Sequence, residues 1–184
     1  MLLYVHIACA MPAILFGPFL FSTTLRKERP NVHKTLGKFY VAGCMISAIT
    51  VLPLAVANGG GLVGNIGFSV MGITWFTVTY FAYSSAINKD FISHRRWMMR
   101  SYALTFAFVH VNLTYKFILP YEIMSVGAVK AMQSMVSWQF NLLLVELYLE
   151  ATSFKGRWQG WGKFAQRTLR WSPEDNFYGL KPKR

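Results

Sequence analysis

The sequence predicts an all-α integral membrane protein, a bundle of about five transmembrane helices. Three observations predict it. Of 184 residues, 54% are apolar; long stretches carry no formal charge; and the basic residues gather at the ends of those stretches. A bilayer core of about 30 Å takes roughly 20 apolar helical residues to cross. The apolar stretches here are apolar on nearly every side, whereas a soluble helix would show a polar face.

The first span is expected within Met1–Leu25, which has no formal charge if His6 is neutral. His6, Ala10, Ala13, Gly17 and Thr24 fall within an arc of about 60° at helical spacing. Small residues let membrane helices approach closely, so this stripe should face the bundle and carry His6 inward. The run from Phe39 to Asn88 is also uncharged, and the turn Asn58–Gly61 divides it into two spans. The second begins near Lys38 and sets Gly43, Ser47 and Thr50 on one face. The third, from about Leu62 to Ile87, is rich in glycine and threonine.

Two shorter uncharged runs, Ser101–Tyr115 and Ala131–Val145, predict the fourth and fifth spans, extended by residues that snorkel at their ends. In the fourth, Ser101, Thr105 and Asn112 share a face with His110 almost opposite. If that polar face is the inner one, His110 turns toward lipid or a partner subunit. The fifth has two polar stripes: Ser134, Ser137 and Asn141, and then Gln139, Glu146 and Glu150. One can serve the bundle and the other something outside it.

The net charge of +12 is informative for its placement. Arg26, Lys27, Arg29, Lys34 and Lys38 precede the second span; Lys89, Arg95, Arg96 and Arg100 precede the fourth; eight more cations follow Ser153. The other side has only Lys116 and Lys130. A Lys/Arg excess in short loops marks the cytoplasmic side, or the matrix side in a mitochondrion. Loops 26–38 and 88–96 and the C-terminal tail are therefore expected on that side of a bacterial inner membrane or a mitochondrial inner membrane. The N-terminus lies outside and the C-terminus inside. The first span lacks a basic leader and is followed by cations, a stop-transfer pattern rather than a cleaved signal. Basic residues at span ends, rather than on one folded face, argue against nucleic-acid binding.

Two regions follow: residues 1–153 as the transmembrane helical domain and 154–184 as a basic aromatic interfacial tail. Phe154, Trp158 and Trp161 lie on one side of a helical wheel, with Lys163, Arg167 and Arg170 on the other. That arrangement suits a segment in the headgroup region with its cations toward anionic lipid headgroups, although Gly156, Gly160 and Gly162 weaken the helix. Cys9 in the outer half of the first span and Cys44 in the inner half of the second should differ in depth by roughly 15 Å, too far for a disulfide.

The chain resembles the bacterial membrane proteins grouped as domain-of-unknown-function family 2306. The resemblance rests on Gly17-Pro18, Arg29-Pro30 with His33 to Lys38, Gly67-Phe68, Trp75, the run from His94 to Ala107, and Ser137 to Leu142 with Glu146. It covers roughly residues 1–150, with the His94 run its most specific part. His6 stands where such proteins often carry a histidine. Asn112 stands where they commonly place an arginine. The resemblance implies a membrane fold and no particular reaction.

Two chemistries compete for the polar residues. Paired imidazoles at matching depth can ligate a b-type haem, with cations nearby for its propionates. His33 and His94 at the inner edge, among Arg29, Arg95, Arg96 and Arg100, are the leading ligand candidates. His6 with His110 is the less favoured pair. A quinone or anionic-lipid site could instead use His94, Arg100 and Glu146, which share a depth; Arg100 with Glu146 is also the natural ion pair to lock two helices. Buried ionisable groups in membrane segments are suspects for function. No Gly-x-Ser-x-Gly, His-Glu-x-x-His or phosphate-loop pattern supports hydrolysis, and five spans do not divide into inverted repeats. The residues point first to a non-catalytic membrane subunit packing against other membrane protein subunits through the fifth span and tail. The alternative is an electron-transfer protein holding haem or quinone near the inner edge.

Overall fold

The structure, a computed structural model, describes residues 1–57, 59–118, 121 and 124–169, with side chains described through Ser153 except Thr114 and Ile118. Among the described residues six α-helices follow one another: α1 (Leu2–Leu20), α2 (Thr23–Glu28), α3 (Pro30–Val56), α4 (Gly61–Ile87), α5 (Phe91–Ile118) and α6 (Val126–Leu169). No strand occurs among the described residues. The five long helices fall on the five stretches read as spans in the sequence, and α2 is an addition. By length and composition α1, α3 and α4 are each able to cross a membrane. α5 and α6 are long enough, but α5 opens with Arg95, Arg96 and Arg100 and α6 mixes polar residues into its apolar face.

Local chemistry sets the boundaries. The Leu25 N–H donates to Ser22 Oγ at 3.3 Å and caps α2. Arg29 then leaves helical geometry (φ −131°), and Pro30 occupies the first turn of α3, where its fixed φ is already helical and its missing N–H costs nothing. Most of segment 26–38, expected as a loop, is therefore helical, and His33 sits at the start of α3. The earlier break at Phe21 and Ser22 removes Thr24 from the α1 stripe and leaves it exposed on α2.

Between α3 and α4, Gly59 and Gly61 adopt φ of 74° and 64°, a left-handed geometry that glycine takes without a Cβ clash. Asn58 of that turn lies outside the described residues. At the next turn Lys89 takes the left-handed position (φ 61°) after α4. Asp90 Oδ1 accepts from the Ser93 N–H at 3.1 Å. The Ser93 side chain and N–H hold the exposed Asp90 carboxyl below its ordinary range.

The chain forms two compact units, Met1–Val145 and Glu146–Arg184. In the second, α6 runs on as helix to Leu169 through Gly156, Gly160 and Gly162, so these glycines do not interrupt it. Trp158, Trp161, Lys163 and Arg167 stand on that helix with side chains outside those described, and Arg170 lies outside the described residues altogether.

Within the first unit, neighbours interlock through small residues. The α1 stripe faces the bundle as expected, with Ala10, Ala13 and Gly17 buried; its N-terminal part meets α3. A Cβ on Gly43 would come within 2.6 Å of the Cys9 carbonyl oxygen, and Ser47 Oγ donates to the His6 carbonyl at 3.3 Å. Gly17 is pressed against the Tyr102 ring of α5, Gly72 against Val51 and Ala48 of α3, and Gly67 against Ser134 of α6. The Gly43 contact corrects the expected depth gap between the cysteines, because antiparallel α1 brings Cys9 level with Gly43. Both cysteines are nonetheless free, for Cys44 Sγ faces Thr105 Oγ1 at 3.6 Å.

Candidate functional site

Six buried residues with polar side-chain atoms converge from three helices of the first unit. Tyr40 and Cys44 lie one turn apart on α3, Trp75 and Thr79 on α4, and Ser101 and Thr105 on α5. All six are nearly or fully excluded from solvent. Trp75 Nε1 donates to Thr105 Oγ1 at 3.1 Å, and Thr105 donates its own hydroxyl to the Ser101 carbonyl at 2.9 Å. Tyr40 Oη lies 3.2 Å from Ser101 Oγ and 3.3 Å from Thr105 Oγ1, and Thr79 Oγ1 lies 2.8 Å from Ser101 Oγ. Thr105 has already spent its proton and accepts from Trp75, so a bond from Tyr40 to it must have the phenol as donor. Every member is neutral. The cluster ties three helices together and has no nucleophile paired with a base.

Two turns nearer the basic ends of these helices stand His33 and His94. His94 Nδ1 lies 2.7 Å from the Ala82 carbonyl of α4. A carbonyl only accepts, so Nδ1 carries the proton, and in the neutral ring the lone pair is on Nε2. His33 Nδ1 is buried and has no hydrogen-bond partner among the described residues. His33 and His94 stand near the starts of α3 and α5. Arg100, expected in the same site, lays its guanidinium over the Trp97 ring, 4.7 Å from the centroid. Glu146, expected as its partner, is the first residue of the second unit.

His6 and His110 occupy separate places. His6 Nδ1 reaches the Ser47 carbonyl at 3.0 Å and Thr50 Oγ1 at 3.1 Å, both on α3. The His110 ring lies 6.2 Å from Phe106 and 5.8 Å from Phe140 of α6. His110 is half-buried between these two exposed rings. Asn112 corrects the expectation of one inward polar face on α5. It is exposed and donates to its own helix at Phe108 O, 2.8 Å away, while Ser101 and Thr105 lie deep inside.

On α6 the first of the two stripes is turned inward. Ser134, Ser137 and Asn141 are buried; Asn141 Nδ2 donates to Ala103 O at 3.0 Å and Ser134 Oγ to Val63 O at 3.3 Å. Gln133, overlooked in the sequence, is buried as well and donates to Val111 O at 2.9 Å. Gln139 is exposed and makes no hydrogen bond with any described residue. Among the described residues no three His, Cys, Asp or Glu converge as a metal-binding group.

The model of a family described as "Predicted membrane protein (DUF2306)" matches residues 3–149. No curated protein and no solved structure matches the chain.

Proposed function

We propose, from the premise that the chain belongs to this family of predicted membrane proteins, that it is a five-span, non-catalytic membrane subunit. It packs against other membrane protein through α6. α5 and α6 complete the crossing begun by α1, α3 and α4, the N-terminus is outside, and the basic loops and tail are inside. The tail's cations hold anionic headgroups.

Gln139 carries this reading. Thr50, Thr74, Thr77 and Asn112 each satisfy their side chains by donating to a carbonyl of their own helix. Gln139 does not, although its neighbours Val136, Phe140 and Leu143 form an exposed apolar surface. An unpaired amide in hydrocarbon is costly, and interhelical hydrogen bonding is the usual remedy. The test is isolation of the chain from its native membrane in mild detergent. A stable assembly is expected, and a lone monomer with no companion overturns the reading.

The His33–His94 site supports a second reading, electron transfer through b-type haem or quinone. A histidine that ligates a metal usually donates its other ring N–H to a carbonyl or carboxylate, as His94 does to Ala82. A dithionite-reduced minus oxidised spectrum of the pure protein tests it: no Soret or α-band change removes haem. Absence of stoichiometric quinone from a lipid extract of the same sample removes quinone.

A further inference from the structure

We infer that the outward side of α3 seats an anionic phospholipid, with Lys34 and Lys38 on its phosphate and Ala42, Met45 and Ile49 along an acyl chain. Such a site is separate from the α6 surface, and it is open to lipid in either orientation of the chain.

Cations at the basic rim differ in how they are used. Arg100 lies over the Trp97 ring, and both it and Arg96 have partners within the chain. Arg26, Lys27, Arg29, Lys34 and Lys38 are exposed. Among the described residues their side chains have no hydrogen-bond or ion-pair partner, and neither has Glu28, the one acid among them. Segment 26–38 therefore presents five cations with no counter-charge engaged. Like charges so close repel one another, and an anion at the membrane surface relieves that repulsion.

The pattern on α3 selects lipid as the source of that anion. Tyr40, Cys44 and Ser47 mark the buried side of the helix. α1 takes the flank of Gly43 and Ser47, and α4 that of Ala48 and Val51. Lys34 and Lys38 lie one turn apart on the opposite side, about 120° and 160° round the helix from Tyr40. The same side continues as Ala42, Met45 and Ile49, with Ala42 and Ile49 exposed and Met45 half-buried. From Lys38 to Ile49 the helix rises roughly 16 Å, close to half of a hydrocarbon core of about 30 Å. Cations at one end of an apolar track one leaflet long match a phosphate above its acyl chain. A free phosphate engages only the lysines.

Titration of the full chain in mild detergent with phosphatidylglycerol or phosphatidylcholine, read by native mass spectrometry, tests the site. The unaltered chain should bind phosphatidylglycerol more tightly. Lys34→Gln with Lys38→Gln should weaken that binding by roughly thirtyfold, at about fivefold per cation near a membrane surface, and change phosphatidylcholine binding little. Lys34→Arg with Lys38→Arg should keep the preference, and so should Lys116→Gln at the other end of the bundle. Inorganic phosphate at the same concentration should not displace the lipid; displacement would overturn the lipid assignment. Equal affinity for the two lipids in the unaltered chain would overturn the inference, and that comparison needs no variant to fold. A preference unchanged in Lys34→Gln with Lys38→Gln would also overturn it and give the binding to other cations, such as those after Ser153.

Discussion

Thr105 shows how much one hydroxyl can hold in an apolar interior. It accepts from Trp75 and stands 3.3 Å from Tyr40, so Thr105→Val keeps the shape and leaves the Trp75 donor unpaired. Interhelical hydrogen bonds in membranes average about 0.6 kcal/mol, and an unsatisfied buried group costs about 1–3 kcal/mol. Thr105→Val is therefore expected to lower stability by about 2 kcal/mol in a detergent unfolding titration. Thr105→Ser, which keeps the hydroxyl, should recover most of that. Ser101 and Thr105 were legible as a polar face on an apolar helix. Tyr40 was not, because a tyrosine near a basic rim reads equally well as an interfacial anchor, and its partners lie 61 and 65 residues away.

Helix seams depend on what stands opposite each small residue. A Cβ on Gly72 would meet Val51 Cγ1 at 2.5 Å and the Ala48 carbonyl oxygen at 3.1 Å. The backbone oxygen cannot rotate away. At Gly37 nothing lies within 4 Å, although it too sits in a helix. Gly72→Val should destabilise by about 1–3 kcal/mol through overpacking, while Gly37→Ala should be neutral or slightly stabilising through helix propensity. Paired thermal melts in the same detergent separate the two cases. The seams themselves were legible, because small residues at helical spacing mark close approach. Helix starts were less so: Pro30 could be a loop residue or the first residue of a helix, and the geometry at Arg29 decides between them.

The placement of charge along the chain governs the proposed orientation. Lys27→Cys and Asn88→Cys, in a chain lacking Cys9 and Cys44, should react with an impermeant maleimide only from the cytoplasmic or matrix face. Lys116→Cys should react only from the other. Labelling of Lys27→Cys and Lys116→Cys from the same face would break the proposed arrangement. No single residue gives this expectation. It comes from nine cations preceding the second and fourth spans against two on the opposite side, and the ends of neighbouring antiparallel helices bring those nine to one rim.

Composition and periodicity alone determined the all-helical class, the apolar helices and the small-residue seams, since each follows from a local pattern set against the demands of hydrocarbon. Tertiary structure decided which polar groups meet. It gathered Tyr40, Trp75 and Thr105, set the His110 ring near Phe140, and left Gln139 without a hydrogen-bond partner among the described residues. Those outcomes depend on which helix face lies against which, and a pattern read along one helix carries no information about its neighbour.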